Sequence, residues 1–226
     1  EHATKGAELS QLDLAIVLAA GEGTRMKSTR PKVLHEIAGR SLLGHVLHAL
    51  SALSAKEIRV VVGSGKDEVI AHLKEITPKA LPIYQEVRGG TGHAVRIALK
   101  DGATKGTVMV CAGDTPLLTG KSLQEFLDSH RDSGAVATVL TTEMPDPFGY
   151  GRIIRDLDGA ILKIVEEKDA SEIEKEVSEI NSGVFLFDLS ALIDALTRIT
   201  TANAQKEEYL TDVIGILKSD GKKVAA

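Results

Sequence analysis

The chain has 226 residues, 26% of them charged, with a formal net charge of -5 and a pI near 5.8. We do not expect such an acidic chain to bind nucleic acid generally, because that function needs a basic face that neutralises many phosphates. The single cysteine, Cys111, excludes an internal disulfide, and no apolar stretch approaches the roughly 20 residues that span a bilayer, so we expect a cytoplasmic protein with no membrane partner.

Polar residues dominate residues 1–11, and we predict that they form a flexible extension before one domain over residues 12–226. Short apolar runs rich in valine and isoleucine then alternate with helix-length amphipathic stretches. This alternation is typical of an α/β domain with a mostly parallel sheet. The predicted strands are Leu14–Ala20, Ile58–Val62, Thr107–Ala112 and Ala135–Leu140, and the predicted helices are Ser41–Leu53, Lys66–Glu75, Thr91–Leu99 and Lys121–Arg131.

After residue 140 the pattern changes. Turn residues such as Asp158 and Gly159 separate further short apolar runs, which indicates added strands, some of them antiparallel. We expect the first half of the chain to bind a nucleotide and the second half to form a lid or substrate floor. The predicted strands here are Phe148–Arg155, Ala160–Val165 and Val184–Phe187, and the two last helices are Ser190–Thr200 and Glu207–Lys218.

The first predicted strand ends in a glycine-rich loop that begins at Gly21 and Gly23. It is neither a Rossmann fingerprint, because Met26 stands at the third glycine position, nor a P-loop. Glycines at this edge still let backbone N–H groups approach an anion, and Arg25 and Lys32 would supply cations for phosphates. A glycine-rich turn with two solvated cations explains the spacing equally well.

Asp114 follows the predicted strand Thr107–Ala112 through Gly113, which places its carboxylate at the carboxyl edge of the sheet. Mg²⁺ takes hard oxygen ligands and often only one or two carboxylates, so Asp114 is a candidate metal ligand. The alternative is an ordinary turn aspartate before Thr115 and Pro116.

Several stretches together resemble the sugar-phosphate nucleotidyltransferases, and specifically the family of bacterial N-acetylglucosamine-1-phosphate uridylyltransferases. The resemblance covers the chain from about Leu12 to its end. The first loop alone is shared more widely, but the second and last stretches narrow the match. These stretches are Leu18-Ala19-Ala20-Gly21 with Pro31-Lys32-Val33-Leu34, Gly90-Thr91-Gly92-His93-Ala94, Gly113-Asp114-Thr115-Pro116-Leu117, Phe148-Gly149-Tyr150-Gly151-Arg152, Ile164-Val165-Glu166 and Glu179-Ile180-Asn181-Ser182-Gly183.

The resemblance implies a Rossmann-like nucleotide-diphospho-sugar transferase fold, with a mixed, mostly parallel sheet flanked by helices. It also implies Mg²⁺-dependent transfer of UMP from UTP to N-acetylglucosamine 1-phosphate. The products would be UDP-N-acetylglucosamine, a precursor of peptidoglycan and other cell-envelope polymers, and pyrophosphate. Because a sugar 1-phosphate is already an anionic nucleophile, the reaction needs positioning and charge stabilisation more than a general base.

The same resemblance implies the roles of individual residues. Arg25, Lys32 and Asp114 would be catalytic, with Asp114 also holding Mg²⁺. Substrate contacts would come from Leu18, Ala19, Ala20, Gly21, Gln85, Gly90, Thr91, Ala112, Gly113, Gly151, Glu166 and Asn181.

Within that set, Gln85 would read the uracil with its amide, and Thr91 could cap the helix that it opens. Glu166 and Asn181 would contact the N-acetylglucosamine, although Glu166 could instead lie on an exposed charged run and Asn181 in a turn. We expect His93 to be packed or bonded to its own helix rather than catalytic.

Three features depart from the family pattern. Arg88 and Gly89 differ from the usual residues before Gly90. The family's asparagine that completes the metal site falls beyond Ala226, so the chain as given would hold one ligand fewer. The family's carboxyl-terminal left-handed β-helix, which carries acetyltransfer and trimerisation, is also absent, and we expect this piece to be a monomer and the full-length protein a homotrimer.

Two other functions stay open. One is nucleotidyl transfer to another sugar 1-phosphate or from another nucleotide, because the first loop and Asp114 are shared across the wider superfamily. The other is a UDP-sugar binding module that lacks turnover. A nicotinamide dehydrogenase is disfavoured by the missing third glycine.

Overall fold

The computed structural model describes residues 12–21 and 28–226. The described strands are β1 Leu14–Ala19, β2 Glu36–Ile37, β3 Arg40–Ser41, β4 Glu57–Val62, β5 Leu81–Tyr84, β6 Thr107–Ala112, β7 Ala137–Glu143, β8 Arg152–Arg155, β9 Ile161–Val165, β10 Glu179–Asp188 and β11 Val224–Ala225. The described helices are α1 Leu42–Leu50, α2 Lys66–Ile76, α3 Thr91–Ala98, α4 Gly120–Ser133, α5 Glu172–Lys175, α6 Leu189–Leu196 and α7 Asp212–Ser219.

The main sheet has the strand order β11-β7-β10-β6-β1-β4-β5. The pairs of β1 with β4, β1 with β6 and β4 with β5 are parallel, whereas β10 runs antiparallel to both of its neighbours. Strands β8 and β9 form an antiparallel hairpin that attaches to the first half of β10. The predicted mixed, mostly parallel α/β sheet is therefore confirmed.

Strand β1 lies at the centre of two cores. Ala15 and Val17 belong to the core under α1, α2 and α4, whereas Leu14 and Ile16 belong to the core under α3, α6 and α7. Successive side chains of a strand point to opposite faces, and a parallel strand covered by helices on both sides is apolar throughout. This explains the unbroken run of apolar residues.

Several predicted boundaries in the second half are wrong. Helix α7 begins at Asp212 rather than at residue 207, because the N–H and C=O of Glu208 pair with Gly89 and Gly92 and cannot join a helix. Strand β8 begins only at Arg152, after a turn in which the N–H of Tyr150 donates to a carbonyl. Strand β10 is much longer than the predicted residues 184–187.

The first half agrees more closely with prediction, with one shortened helix. Helix α1 starts after Ser41, whose hydroxyl accepts from the N–H of Gly44, and gives way to a 3₁₀ turn over Ser51–Leu53. The short strands β2, β3, β5 and β11 and the one-turn helix α5 were not predicted as elements. Within the described ranges, no helix has the length and apolar character needed to cross a membrane.

Asp13 ties the starts of two central strands together. Its carboxylate accepts from the N–H of Thr107 at 2.9 Å, and from Lys56 Nζ at 2.6 Å. The bond from Lys56 and the bond from Thr107 lower the pKa of Asp13. A lowered pKa means that the folded state prefers the ionised form, so this contribution to stability is present above about pH 3.8 and disappears as pH falls through the folded-state pKa.

We therefore expect Asp13→Asn to lower the free energy of unfolding by about 1–2 kcal/mol at neutral pH, because a charge-assisted bond is lost. The difference from the unaltered chain should shrink below about pH 3.8. Urea unfolding at several pH values measures this, and Asp132→Asn, at an exposed site in α4, serves as the control. A deficit that stays constant with pH would contradict the assignment.

Candidate active site

Two cavities open at the carboxyl edge of the parallel strands. The first, called here the edge pocket, has a volume of about 130 Å³. The second, the bulge pocket, has a volume of about 470 Å³. The edge pocket is lined by Leu18, Ala20, Gly21, Gln85, Arg88, Gly90, Thr91, Ala94 and Glu207. The bulge pocket is lined by Lys32, Ala112, Asp114, Thr115, Gly149, Tyr150, Gly151, Glu166, Asn181, Ser182 and Gly183.

Lys32 and Asp114 form an ion pair in the bulge pocket. Lys32 opens a 3₁₀ turn that is anchored by the buried side chains of Val33 and Leu34. The side chains of Lys32 and Asp114 are 36% and 30% exposed, so both charges remain accessible to a ligand. The pair brings together two residues that the sequence analysis assigned to phosphate and metal binding.

The backbone beside Asp114 is held in place by hydrogen bonds to the ends of β1 and β6. The N–H of Gly113 donates to the carbonyl of Leu18 at 2.9 Å, which extends the pairing of these strands by one bond. The hydroxyl of Thr115 donates to the carbonyl of Ala112 at 2.9 Å. Leu18 lines the edge pocket, and Asp114 lines the bulge pocket. The bond between Gly113 and Leu18 therefore fixes the two pockets relative to one another.

A β-bulge in β10 shapes the far wall of the bulge pocket. The register with β7 shifts between Asn181 and Val184. Gly183 has a φ of 83°, which favours glycine, and its N–H donates to Asn181 Oδ1 at 2.9 Å. The hydroxyl of Ser182 donates to the carbonyl of Leu140 at 2.5 Å. The bulge thus places Asn181 in the pocket lining rather than in a plain strand or turn.

Glu166 lies directly after β9 and is half-buried, so it does not belong to an exposed charged run. The hydroxyl of Thr211 donates to Glu166 Oε1 at 2.9 Å. Burial raises the pKa of Glu166, the bond from Thr211 partly opposes this, and the neighbouring carboxylates of Asp212 and Asp169 raise it further. An added Cβ at Gly151 would lie 3.5 Å from Glu166 Oε1, so the glycine leaves room beside this carboxylate.

A buried ion pair supports the turn over residues 149–151. Arg152 has a side chain only 2% exposed, and its Nη2 lies 2.8 Å from Glu167 Oε2. Its Nη1 also donates to the carbonyl of Tyr150, and the N–H of Gly149 donates to Glu167 at 3.3 Å. The backbone of this turn is therefore presented to the bulge pocket in a defined conformation.

Gln85 forms the buried wall of the edge pocket. It directly follows the end of β5 and is 8% exposed. Its Nε2 lies 2.8 Å from His93 Nδ1 and donates to the carbonyl of Gly90 at 3.2 Å. His93 is thus half-buried and held by a neighbouring loop rather than by its own helix. Its role here is to orient the Gln85 amide.

Thr91 does not cap α3, contrary to the prediction. Gly90 occupies the N-cap position with a φ of 96°, and Thr91 is the first helical residue. Its hydroxyl oxygen accepts instead from the N–H of Leu210 at 3.0 Å. Beside it, Arg88 Nε lies 3.6 Å from Glu207 Oε1 at the rim of the pocket.

The predicted site residues mostly fall in these two pockets. Ala19 and Gly113 line neither pocket, because the Ala19 side chain is buried in the core and Gly113 supports Leu18. Arg25 lies outside the described residues. The edge pocket contains Leu18, Ala20, Gly21, Gln85, Gly90 and Thr91, and the bulge pocket contains Lys32, Ala112, Asp114, Gly151, Glu166 and Asn181.

Sequence reasoning missed Thr211 and Glu207. Both fall inside the helix predicted over residues 207–218. No local sequence pattern indicates that the backbone at residues 207–211 is not helical. Their partners, Glu166 and Arg88, are far away in the sequence. Only the contacts in the folded structure reveal that Thr211 and Glu207 belong to the site.

The described residues of the bulge pocket would need further ligands, such as waters or substrate phosphates, to complete the coordination of a divalent cation. In the described part of the chain, no group of three or more His, Cys, Asp or Glu side chains is placed to hold a metal ion. Asp114 offers one accessible carboxylate in an oxygen-rich pocket, which fits Mg²⁺ because that ion usually keeps waters and substrate phosphates.

Residues 15–179 match the family of MobA-like NTP transferase domains. The chain is 55% identical over 214 residues to the "Bifunctional protein GlmU" of Streptomyces avermitilis, with 93% of this chain and 44% of the relative covered. It is 53% identical over 218 residues to the "Bifunctional protein GlmU" of Lactococcus lactis subsp. lactis, with 94% and 46% covered. The chain therefore spans less than half the length of these relatives.

The fold also matches a crystal structure of UDP-glucose pyrophosphorylase complexed with UDP-glucose. The TM-score is 0.75 at 16% identity, and the match covers 95% of this chain and 90% of the other. This confirms the predicted nucleotide-diphospho-sugar transferase fold. Since the family match covers most of the chain, including β1, β6 and the Lys32–Asp114 pair, the chain belongs to the family of MobA-like NTP transferase domains.

Proposed function

We propose that this chain catalyses the transfer of UMP from UTP to N-acetylglucosamine 1-phosphate, giving UDP-N-acetylglucosamine and pyrophosphate. The observation that carries the proposal is the pair of pockets on one sheet edge, with Lys32 and Asp114 at the strand end that joins them. The similarity to proteins named GlmU supports it. The cytoplasmic location expected from the sequence belongs to the same proposal.

The edge pocket suits a pyrimidine. Its volume of about 130 Å³ is small, and its buried polar wall is the Gln85 amide. Because Gln85 Nε2 is directed at Gly90 and His93, the group that Gln85 can offer a base is its carbonyl oxygen, which can accept from the N3–H of uracil. The backbone of Leu18, Ala20 and Gly21 forms the opposite side at the end of β1. We assign the uracil of UTP to this pocket.

The bulge pocket suits a sugar. Glu166 can accept hydrogen bonds from hydroxyl groups, and Asn181 can both donate and accept. The glycine backbone at residue 151 lets a ring or an acetamide group approach closely. We assign the N-acetylglucosamine 1-phosphate to this pocket.

The chemistry requires two anions to be brought together. The attacking phosphate oxygen is already ionised, so this chain need only align it with the α-phosphorus and neutralise charge. Lys32, released from Asp114, would contact phosphate oxygens, and Arg25 would add a second cation. Asp114 would hold Mg²⁺, which when bound supplies positive charge to the α-phosphate and to the departing pyrophosphate.

We also propose that the natural protein continues into an acetyltransferase domain with a left-handed β-helix and assembles as a homotrimer. The word "bifunctional" in the relatives' name and their greater length support this extension. An asparagine beyond residue 226 would then complete the ligands of the metal.

The direct test is pyrophosphate release from UTP and N-acetylglucosamine 1-phosphate with Mg²⁺. Parallel reactions replace UTP by ATP, CTP, GTP or dTTP, or the sugar by glucose 1-phosphate. We expect release that depends on UTP, on N-acetylglucosamine 1-phosphate and on the metal. Equal rates with other nucleotides or sugars would overturn the specificity. Tight binding of UDP-N-acetylglucosamine without turnover, in this chain and in a longer one, would favour a binding module.

We expect Lys32→Ala and Asp114→Asn each to lower kcat by about 10²-fold or more, because each removes charge complementarity formed in the transition state. Melting temperatures should change little, since both side chains are partly exposed. Lys121→Ala, at an exposed lysine paired with Glu125 on α4, is the matched control. Near-normal turnover in either site variant would refute the assignment.

Glu166 should make sugar binding depend on pH. Its raised pKa means that the ionised acceptor is lost as pH falls, so the KM for the sugar phosphate should rise on acidification. Thr211→Val removes a bond that opposes the raised pKa, and the break in KM should therefore move to higher pH.

The control for this pH effect is Glu166→Gln, which cannot titrate. It should keep only the part of the profile that comes from the phosphate of the substrate. Steady-state kinetics at saturating UTP across the acidic range measures all three proteins. The same break in the Glu166→Gln profile would show that the substrate, and not Glu166, causes it.

A further inference from the structure

Residues 203–211, which lie between α6 and α7, reach both pockets and are called here the bridging segment. Glu207 lines the edge pocket. Thr211 donates to Glu166 in the bulge pocket. The segment is therefore in contact with the groups assigned to both substrates.

On the edge-pocket side, the segment pairs with the loop before α3 and with α3 itself. The N–H of Glu208 donates to the carbonyl of Gly89, and the N–H of Gly92 donates to the carbonyl of Glu208, both at 2.8 Å. Arg96 adds a two-pronged ion pair with Glu208, with distances of 2.8 and 3.1 Å. This contact combines reciprocal backbone bonds with a fork-shaped side-chain pair.

Two glycines permit this close approach. An added Cβ at Gly90 would lie 2.5 Å from the carbonyl oxygen of Glu208 and 2.8 Å from Glu207 Cβ. At Gly92 it would lie 3.0 Å from the same carbonyl oxygen. The bridging segment thus occupies the space that side chains at Gly90 and Gly92 would take. These glycines are needed for this contact, whether or not they also contact a ligand.

On the bulge-pocket side, the segment is bound to the turn that follows Glu166. Asp169 accepts from the hydroxyl of Tyr209 at 3.0 Å and from the N–H of Ala204 at 2.8 Å. Lys168 Nζ donates to Gln205 Oε1 at 3.0 Å. Burial raises the pKa of Tyr209 to about 12, so its hydroxyl remains a proton donor at every working pH.

The segment is also braced internally. Asn203 Oδ1 accepts from the N–H groups of Gln205 and Glu207, each at 3.2 Å, and Asn203 Nδ2 donates to the carbonyl of Glu207 at 2.6 Å. These three bonds close residues 203–207 into one hydrogen-bonded loop. We therefore expect a displacement of one end of the segment to be transmitted to the other.

We propose that the bridging segment couples the two pockets, with Glu208 as a positioning residue on the edge-pocket side and Tyr209 as one on the bulge-pocket side, which together set the Thr211–Glu166 contact. The identity of the ligands rests on the proposed function. Neither residue is required to touch the reacting atoms. Coupling between two binding sites is reciprocal, so a ligand in either pocket should change the affinity of the other pocket by the same factor. A variant that loosens the segment at either end should change this coupling.

The test compares UMP, which would fill only the nucleotide side, with UDP-N-acetylglucosamine, which would fill both. Arg96→Gln loosens the segment at the edge pocket, and we expect the Kd of UDP-N-acetylglucosamine to rise about fivefold more than the Kd of UMP. Tyr209→Phe loosens the segment at the bulge pocket, because it removes the bond to Asp169. It should nevertheless raise the Kd of UMP, which would bind in the edge pocket. Isothermal titration calorimetry measures both Kd values for each variant and for the unaltered protein.

Two further variants separate coupling from general destabilisation. Arg198→Gln breaks a similar two-pronged pair with Asp220 outside the segment, where Arg198 is 40% exposed against 48% for Arg96. It should leave both Kd values unchanged. The charge-exchanged double variant Arg96→Glu with Glu208→Arg should restore the ratio of the two Kd values. Equal weakening of both ligands by Arg96→Gln, together with unchanged UMP binding in Tyr209→Phe, would overturn the proposal.

Hydrogen exchange on the ligand-free protein keeps this test independent of the proposed function. Arg96→Gln should speed amide exchange not only at residues 89–92 but also at residues 166–169 and 210–211. Faster exchange confined to the first stretch would refute the coupling even if neither ligand binds. Absence of ligand binding in the unaltered protein, with faster exchange in all three stretches of Arg96→Gln, would refute only the proposed function.

Discussion

The parallel pairing of β1 with β6 is the constraint on which the site depends. Both strands are buried on both faces, so their register cannot slip without moving apolar side chains out of two cores at once. The bond from Gly113 to Leu18 continues this pairing past the strand ends. The backbone beside Asp114 is therefore held by the pairing at the centre of the sheet.

Strand β10 adds the second half of the site to the half built by β1 and β6. Because it runs antiparallel between β6 and β7, its first residues emerge at the same sheet edge as the ends of its neighbours. The bulge at residues 181–183 then turns a regular strand into a pocket wall. Because β10 is antiparallel to β6 and β7, the amino end of the strand, and not its carboxyl end, supplies the far wall of the bulge pocket.

Much of the first half was predictable from the sequence because its signals are local. Periodicity identified β1 and β6, and the position of Asp114 just after a buried strand predicted that it lies at the sheet edge. The Lys32–Asp114 contact joins residues 82 positions apart, and the bond from Leu210 to Thr91 joins residues 119 positions apart. Local sequence patterns extend over about a dozen residues, so they carry no information about contacts between residues so far apart in the sequence. The same limit explains the helix wrongly predicted over residues 207–211, whose backbone is diverted to the loop before α3.

The position of β10 has a consequence for how the chain is made. Strands β6 and β7 precede β10 in the sequence but are separated by it in the sheet. A nascent chain that ends before residue 179 therefore has two unpaired strand edges facing a gap, and such edges are sites for pairing with other chains. The half that would bind the nucleotide is synthesised first, yet its sheet becomes safe from aggregation only when the sugar-side strand has been inserted into it.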